Sequence, residues 1–312
     1  MGTEAGASPS LTVESQSVLV DGVRDVRLVA SSSLEQLLFN RSLMGLDFIR
    51  TCRECSYDML RAVAQELGDR VSIPTELVVL SKGACYQIAD AYGRLLGVAP
   101  NVSFIATRRE RVRGGLAKIS VPYQCLGAPT DYLLIGDTIA SGSTICAALE
   151  SYMKRQVVRR VVLFSFAGGL PGIRRIDQFC SARNIEATFV LGLAAFGLGS
   201  NGFDLSFLHA DTIASDRYRE RASQLFDGKP VSSVGWDFGS QGYAPEKYKL
   251  LSWIESKYWN LESCPEFAFA EPTGEIGLVA AEHDAFRSKF PDLQTIMPSK
   301  AKFSKESAAQ TG

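Results

Sequence analysis

The chain has 312 residues, 46% of them hydrophobic and 21% charged, which is enough apolar material for one large or two smaller globular units. Its apolar runs fall short of the length that crosses a bilayer, and its N-terminus is polar, so we expect a cytoplasmic protein with no membrane partner. A formal net charge of −1, with Lys and Arg scattered along the chain, argues against a general nucleic-acid binder.

Seven cysteines and two histidines restrict the chemistry that the chain can support. An odd number of cysteines without a secretory signal favours thiols over a disulfide framework. Cys52 and Cys55 form a C-x-x-C pair, but there is no second pair, so we expect buried helix thiols and not a metal site. The scarcity of histidine also disfavours hydrolases that need a His beside their nucleophile.

The first quarter of the chain is predicted to be a frayed end followed by helices. Residues 1–17 are rich in Gly, Ser and Thr, which predicts a disordered N-terminus. In residues 18–74, apolar side chains recur at helical spacing from 33 to 67, which predicts one or two amphipathic helices. We expect this segment to be a helical addition or part of a hood on the main domain.

Residues 75–197 show the pattern of an α/β domain. Short apolar runs alternate with segments of helical periodicity, which is typical of a parallel sheet covered by helices on both faces. In such sheets, ligands bind outside the carboxyl ends of the strands. The predicted strands are LVVL (77–80), VSFIAT (102–107), YLLI (132–135), RVVLFSFA (160–167) and ATFVLGLA (187–194), and the predicted helices cover 86–96, 143–154 and 173–182.

Beyond residue 197 this alternation stops, and Gly, Asp and aromatic residues become frequent. We expect residues 198–290 to form an irregular appendage or a hood over the strand ends, and residues 291–312 to be a disordered polar tail. In the hood interpretation an aromatic ring stacks on a planar ligand, whereas most aromatic residues simply belong to a core. The candidate rings are Phe203, Trp236, Phe238 and Tyr243.

The stretch YLLIGDTIASGSTICAALE (132–150) places one carboxylate and several hydroxyls between a predicted strand and a predicted helix. Asp137 would lie at the carboxyl edge of the sheet, and the turn after it would present N–H groups, a helix dipole and short hydroxyls to one point. These features predict a phosphate cradle, in which Gly142 permits close backbone approach. The alternative is an ordinary helix start, with a Ser or Thr as N-cap and Asp137 ending the strand.

The segment Ile-Gly-Asp-Thr-Ile-Ala-Ser-Gly-Ser-Thr (135–144) resembles the motif with which type I phosphoribosyltransferases bind 5-phosphoribosyl 1-pyrophosphate (PRPP). The resemblance implies a Rossmann-like parallel sheet flanked by helices, and a homodimer. It implies that Asp137 and Thr138 contact the ribose, while Gly136 stands where the family has a first acidic residue. The implied ligands of the 5-phosphate are Ala140, Ser141, Gly142, Ser143 and Thr144.

Upstream, LVVLSKGACYQIADAYGRLLG (77–97) looks like the family's pyrophosphate loop. The resemblance implies that Ser81, Lys82, Gly83 and Ala84 contact the pyrophosphate of PRPP. Lys82 would supply a point charge beside a turn where Gly83 allows close backbone approach, and the pattern places this turn at another helix N-terminus. The alternative is a solvent-facing Lys in an ordinary turn.

Between these motifs, ATRRERVRGGLAKISVPYQCLGAPTD (106–131) looks like the mobile catalytic loop of the family, often an antiparallel hairpin. The resemblance implies that Arg108 and Arg109 contact pyrophosphate, and that Arg109 acts in catalysis together with Lys82 and Asp137. The alternative is a charged, solvated hairpin. The cations of the loop are Arg108, Arg109, Arg111, Arg113 and Lys118.

The implied function is a Mg²⁺-dependent transfer of ribose 5-phosphate from PRPP to a nucleobase or another nitrogen nucleophile, with release of pyrophosphate, in nucleotide metabolism. PRPP would hold most of the Mg²⁺ coordination, with Asp137 as a candidate protein ligand. Some features resemble the orotate branch, but the branch stays open. Two alternatives also stay open: a regulator that senses PRPP or a nucleotide, and a specialised-metabolite glycosyltransferase that uses another sugar 1-pyrophosphate or a non-nucleobase acceptor.

Overall fold

An eight-stranded sheet forms the centre of the protein. Its strand order is β1-β2-β9-β7-β6-β3-β4-β5. The six inner strands run parallel, and the strand at each edge pairs antiparallel with its neighbour. The computed structural model describes residues 13–41, 43–65, 73–80, 83–111, 117–199 and 205–232.

The strands of this sheet are short and mostly buried, as expected for a sheet with both faces covered. Numbered along the chain, they are β1 (Glu14–Ser17), β2 (Val26–Ala30), β3 (Thr75–Val79), β4 (Asn101–Arg111), β5 (Ala117–Cys125), β6 (Tyr132–Gly136), β7 (Arg160–Ser165) and β9 (Glu186–Gly192). The predicted fold class, a mostly parallel sheet flanked by helices, is therefore confirmed.

Helices cover both faces of the sheet and define two apolar cores. One core joins alternate strand residues such as Leu134 and Val162 to α1 (Ser32–Phe39), α2 (Gly45–Ala62) and α3 (Ile88–Leu96). The other core joins the intervening residues to α4 (Ser143–Met153) and α5 (Leu170–Ser181). Successive strand residues point to opposite faces, so nearly continuous apolar runs serve both cores at once.

A second, smaller sheet lies beside the loop that follows β6. It comprises β8 (Gly168–Gly169), β10 (Ala194–Leu198), β11 (Leu205–Ser206) and β12 (Ile213–Ala214), and the helix α6 (Asp216–Leu225) follows it. An isolated bridge between Ile139 and Gly168 connects this sheet to the carboxyl edge of the main one.

The structure differs from the sequence prediction mainly near the N-terminus. Glu14–Ser17, predicted to be disordered, forms the exposed edge strand β1, and the unpredicted β2 pairs with β9. The main sheet therefore extends beyond the predicted core of residues 75–197, although the division of the chain into domains stays a prediction.

Two element boundaries in the structure differ from the predicted ones. β4 continues to Arg111, beyond the predicted end at 107, and α3 begins at Ile88 instead of 86. Within the part of the chain that the structure describes, no helix has both the length and the apolar character that crossing a bilayer requires.

Candidate functional site

Asp137 follows the fully buried strand β6, at the edge where β3, β6 and β7 all end. Its N–H donates to the carbonyl oxygen of Phe164 (3.1 Å), which extends the pairing of β6 with β7 by one residue. Its carboxylate oxygen Oδ1 accepts the N–H of Thr138 (2.8 Å), and the residue is only 7% exposed. The sheet therefore holds one carboxylate in a defined position at its carboxyl edge, with the half-buried Thr138 beside it.

The loop after Asp137 is tied to the loop after β7 through backbone hydrogen bonds. The N–H of Ile139 donates to the carbonyl oxygen of Ala167 (3.1 Å), and the N–H of Gly169 donates to the carbonyl oxygen of Ile139 (2.6 Å). These bonds pair the backbone groups of the two loops with each other. The segment 140–144 therefore follows a stretch that is joined to the loop after β7.

Helix α4 begins without a side-chain cap. Its N-cap is Gly142, in the left-handed conformation with φ +73° and ψ −6°, and within the described part of the chain no side chain caps the helix. The alternative in which a Ser or Thr caps the helix is therefore wrong. The hydroxyls of Ser141 and Ser143 instead lie 3.2 Å apart, and both residues are half-buried.

The first turn of α4 keeps its backbone donors available. Among the described residues, no acceptor takes the N–H groups of Ser143, Thr144 and Ile145, and the first helical bond runs from the N–H of Cys146 to the carbonyl oxygen of Gly142 (3.1 Å). Three donors at the positive end of an eleven-residue helix dipole favour an anion.

Two glycines let α5 approach this loop backbone to backbone. A Cβ atom on Gly142 would lie 2.5 Å from the carbonyl oxygen of Gly172, and one on Gly172 would lie 2.8 Å from the N atom of Gly142 and would overlap the carbonyl oxygen of Ala140. Any larger residue at either position would push the helix away. The pair therefore fixes α5 against the cradle of residues 140–144.

Tyr86 explains why a glycine stands at position 136. A Cβ atom on Gly136 would lie 2.5 Å from Cγ and 2.8 Å from Cδ1 of Tyr86, so the ring occupies the space of a side chain. The ring stacks on Phe166 with 3.8 Å between centroids, and its Oη accepts the N–H of Phe166 (3.0 Å). Burial raises the pKa of Tyr86 far above its usual value, and the nearby Asp137 charge acts in the same direction, so the hydroxyl stays neutral.

The turn after β3 lies against the end of β6. Gly83 is buried, and a Cβ atom there would lie 2.9 Å from the carbonyl oxygen of Gly136, while Ala84 is exposed. The structure therefore brings the 83–84 part of the predicted pyrophosphate turn next to the strand end that carries Asp137. Ser81 and Lys82 lie outside the described residues, so their roles stay predictions.

The sequence pattern places the predicted pyrophosphate turn at a helix N-terminus, but α3 begins only at Ile88 and its first N–H groups already have a protein acceptor. The carboxylate of Glu76, on β3, accepts the N–H groups of Ile88 (3.0 Å) and Ala89 (2.7 Å). Burial raises the pKa of Glu76, while these two hydrogen bonds act in the opposite direction. Two of the first N–H groups of this helix thus already have an acceptor within the protein.

β4 and β5 pair antiparallel, from Phe104 with Cys125 to Arg111 with Ala117, and form the hairpin β4–β5. These two strands include much of the segment 106–131, which the sequence predicts to be a loop or an antiparallel hairpin. Val79, the last residue of β3, pairs with Ile105, so residues 106–111 of β4 project beyond the main sheet on the side of Asp137. Six residues of strand span about 20 Å. The hairpin therefore extends past the edge where the candidate site lies.

Arg108 and Arg109 are both exposed on this projecting part of the hairpin. They pair with Ser120 and Ile119, and consecutive strand residues point to opposite faces. Only one of the two arginines can therefore face the strand ends, whereas the sequence prediction has both of them contacting the pyrophosphate.

Sequence reasoning missed two residues of the site, Tyr86 and Arg175. The guanidinium of Arg175, on α5, donates through Nη1 to the hydroxyl of Ser143. A glycine at the end of an apolar strand is a signal of close approach, and it could have indicated a bulky neighbour such as Tyr86. Arg175 had no local signal, because it is separated from Ser143 by 32 residues.

The remaining predicted features lie away from this edge or outside the described residues. Cys52 and Cys55 are fully buried free thiols of α2, as predicted, and burial raises the pKa of both far above the usual value. The aromatic hood candidates are outside the described residues: Phe203, Trp236, Phe238 and Tyr243.

The sequence matches no protein-family model and no curated protein. Solved structures with a similar fold include the AQ2163 protein from Aquifex aeolicus, at 14% identity and a TM-score of 0.42 over 57% of this chain and 95% of that one. An adenine phosphoribosyltransferase from Trypanosoma brucei matches at 10% identity and a TM-score of 0.35, over 68% of this chain and 98% of that one. The orotate phosphoribosyltransferase from Mycobacterium tuberculosis, solved with PRPP, matches at 15% identity and a TM-score of 0.30, over 53% and 91%.

Proposed function

We propose that this protein is a phosphoribosyltransferase that transfers ribose 5-phosphate from PRPP to a nitrogen nucleophile and releases pyrophosphate. The observation that carries the proposal is the start of α4. Gly142 leaves the helix uncapped, and the first-turn N–H groups have no protein acceptor among the described residues. The loop that leads from the buried Asp137 to these N–H groups comprises only residues 138–142. N–H groups that can bind an anion, close in sequence to a carboxylate that can bind hydroxyls, suit the phosphate and the sugar of a sugar phosphate.

Each part of PRPP has a proposed place along this edge. The 5-phosphate binds residues 140–144, and the ribose hydroxyls bind Asp137 and Thr138. The pyrophosphate lies toward the turn of residues 81–84, whose Gly83 lies against Gly136. An arginine of the hairpin then closes over the pyrophosphate from the side.

The described residues fit Mg²⁺ only if the substrate supplies most of its ligands. No group of three or more His, Cys, Asp or Glu side chains in the described ranges is placed to hold a metal ion. Asp137 offers one carboxylate, of which Oδ1 already accepts the N–H of Thr138. When bound to PRPP, Mg²⁺ would neutralise charge on the pyrophosphate.

In the proposed reaction the protein acts by positioning and electrostatics. The bond between C1 of the ribose and the pyrophosphate oxygen breaks, and its electron pair leaves with pyrophosphate. The lone pair of the acceptor nitrogen forms the new bond to C1, and an acceptor that carries a proton on this nitrogen releases it to solvent. Asp137 orients the ribose and stabilises positive charge on the sugar ring, while Lys82 and a hairpin arginine stabilise the departing pyrophosphate. No covalent nucleophile is needed, which agrees with the presence of only two histidines in the chain.

Pyrophosphate release tests the proposal. The protein is incubated with PRPP and Mg²⁺ and with a panel of acceptors comprising orotate, uracil, adenine, hypoxanthine and ammonia, and released pyrophosphate is measured. Acceptor-dependent release supports the proposal. Tight PRPP binding without release for any acceptor would instead favour the sensing regulator, and preferred consumption of another sugar 1-pyrophosphate would favour the alternative glycosyltransferase.

A further inference from the structure

Arg175 places a positive charge directly at the first turn of α4. It lies on α5, one helical turn after Gly172, whose close contact with Gly142 fixes the distance between the two helices. Its Nη1 donates to the hydroxyl of Ser143, and that hydroxyl lies 3.2 Å from the hydroxyl of Ser141. The guanidinium is therefore held beside the same donors that form the cradle.

Among the described residues no Asp or Glu forms an ion pair with Arg175, and its side chain is exposed. The charge of Arg175 also acts on a residue of α4. Burial raises the pKa of the Cys146 thiol to about 11, and the positive charge of Arg175 is the strongest influence that lowers it. Four of the five N–H donors of a guanidinium stay available while one bonds a hydroxyl.

We propose that Arg175 binds the 5-phosphate of the donor directly and makes the cradle selective for a dianionic phosphomonoester. This inference rests on the proposed function, because it assigns a new ligand to the phosphate site proposed there. Backbone N–H groups and a helix dipole alone suit a singly charged anion, since the dipole end is equivalent to about half a charge. A full charge with a planar array of donors adds recognition of the second negative charge and of the phosphate geometry.

Neighbouring arginines provide a matched comparison. Arg174, the preceding residue of α5, donates instead to the carbonyl oxygen of Asp21 (3.1 Å). Replacing Arg174 removes the same charge from the same helix without touching the cradle. A difference between the two variants therefore reports the position of the charge and not the net charge of the protein.

The test is calorimetric binding of ribose 5-phosphate to the full chain. Arg175→Ala should weaken binding about ten- to a hundredfold, Arg175→Lys should recover part of the loss, and Arg174→Ala should stay within about twofold of wild type. Because Arg175 is exposed, we expect the variants to fold, and thermal unfolding checks this. If Arg175→Ala is unstable, Arg175→Gln takes its place.

The pH dependence of binding separates direct contact from a structural role. The second ionisation of a phosphomonoester has a pKa near 6, so affinity of the wild type for ribose 5-phosphate should rise between pH 5 and pH 7.5. In Arg175→Ala this rise should be several-fold smaller, because the charge that favours the dianion is gone. A loss of structure alone would lower affinity equally at both pH values, which would contradict direct contact.

The outcomes distinguish this inference from the proposed function. If the wild type binds ribose 5-phosphate and Arg175→Ala binds it equally well, the assignment of Arg175 is wrong while the proposed function stands. If the wild type binds neither ribose 5-phosphate nor PRPP, both are overturned.

Discussion

Tyr86 determines much of the geometry at the candidate site, although its fully buried ring offers no surface to a ligand. It fills the space above Gly136, stacks on Phe166 and accepts the N–H of that residue. One residue thereby joins the chain segments after β3, β6 and β7. The position of Asp137, directly after Gly136, depends on this packing.

Gly136→Ala should destabilise the protein, because the added methyl group overlaps the Tyr86 ring. Overpacking of this kind costs about 1–3 kcal/mol in the free energy of unfolding. Gly93→Ala is the matched control, since its Cβ would find its nearest atom 4.0 Å away and alanine favours a helix. Denaturant unfolding of both variants checks the expectation. Equal stability of Gly136→Ala and Gly93→Ala would show that the ring can move aside.

Asp137→Asn should keep the fold and weaken catalysis. The amide is isosteric with the carboxylate, and its oxygen can still accept the N–H of Thr138, so we expect nearly unchanged thermal unfolding. Loss of a charge-assisted contact to ribose hydroxyls should lower kcat/KM for PRPP. The corresponding loss of transition-state stabilisation should be about 1.5–3 kcal/mol. Unchanged kcat/KM would mean that Asp137 only ends the strand.

At the scale of elements, two helices that follow strands of one sheet have opposite N-terminal environments. The N-terminus of α3 is satisfied by the Glu76 carboxylate, whereas α4 begins at a glycine and keeps three donors without a protein acceptor among the described residues. This contrast favours α4 over α3 as the place where an anion binds.

The Glu76 cap predicts a specific dependence of stability on pH. Burial raises the pKa of Glu76 in the folded protein. The contribution of Glu76 to the free energy of unfolding is therefore fully present below its unfolded pKa of about 4.3, and it decreases as the pH rises through the folded pKa. The free energy of unfolding of the wild type, relative to Glu76→Gln, should therefore be larger at pH 4.5 than at pH 8. A relative stability that rises with pH would contradict the raised pKa.

The hairpin β4–β5 predicts unequal roles for its two exposed arginines. Because Arg108 and Arg109 point to opposite faces, one alanine variant should lower kcat at least tenfold with a smaller change in KM for PRPP, and we expect this variant to be Arg109→Ala. Arg155→Ala serves as the control, since Arg155 follows the opposite end of α4.

Trypsin cleavage provides a second measurement on the same hairpin. PRPP with Mg²⁺ should slow cleavage after Arg108 and Arg109, because a closed hairpin is less accessible. Equal cleavage with and without PRPP, together with wild-type turnover in both alanine variants, would leave the segment as a solvated hairpin.

At the scale of the whole molecule, the central strands could be predicted from the sequence because they are continuous apolar runs. Features that depend on contacts between residues far apart in the chain could not be predicted. Continuous apolar runs identified β6, β7 and β9, because these strands contact both cores. The polar edge strand β1 lacked any such signal, since all four of its residues are exposed. The cradle could be predicted from local sequence, whereas the contact of Tyr86 with Phe166 joins residues 80 apart.

The central claim is that PRPP binds at the carboxyl edge of the sheet, between Asp137 and the start of α4. Isothermal titration of PRPP with Mg²⁺ into the wild type and into Asp137→Asn tests it most directly. We predict saturable binding at one site per chain in the wild type, and binding about tenfold or more weaker in the variant. Absence of PRPP binding to the wild type, or equal affinity in the two proteins, would contradict the account.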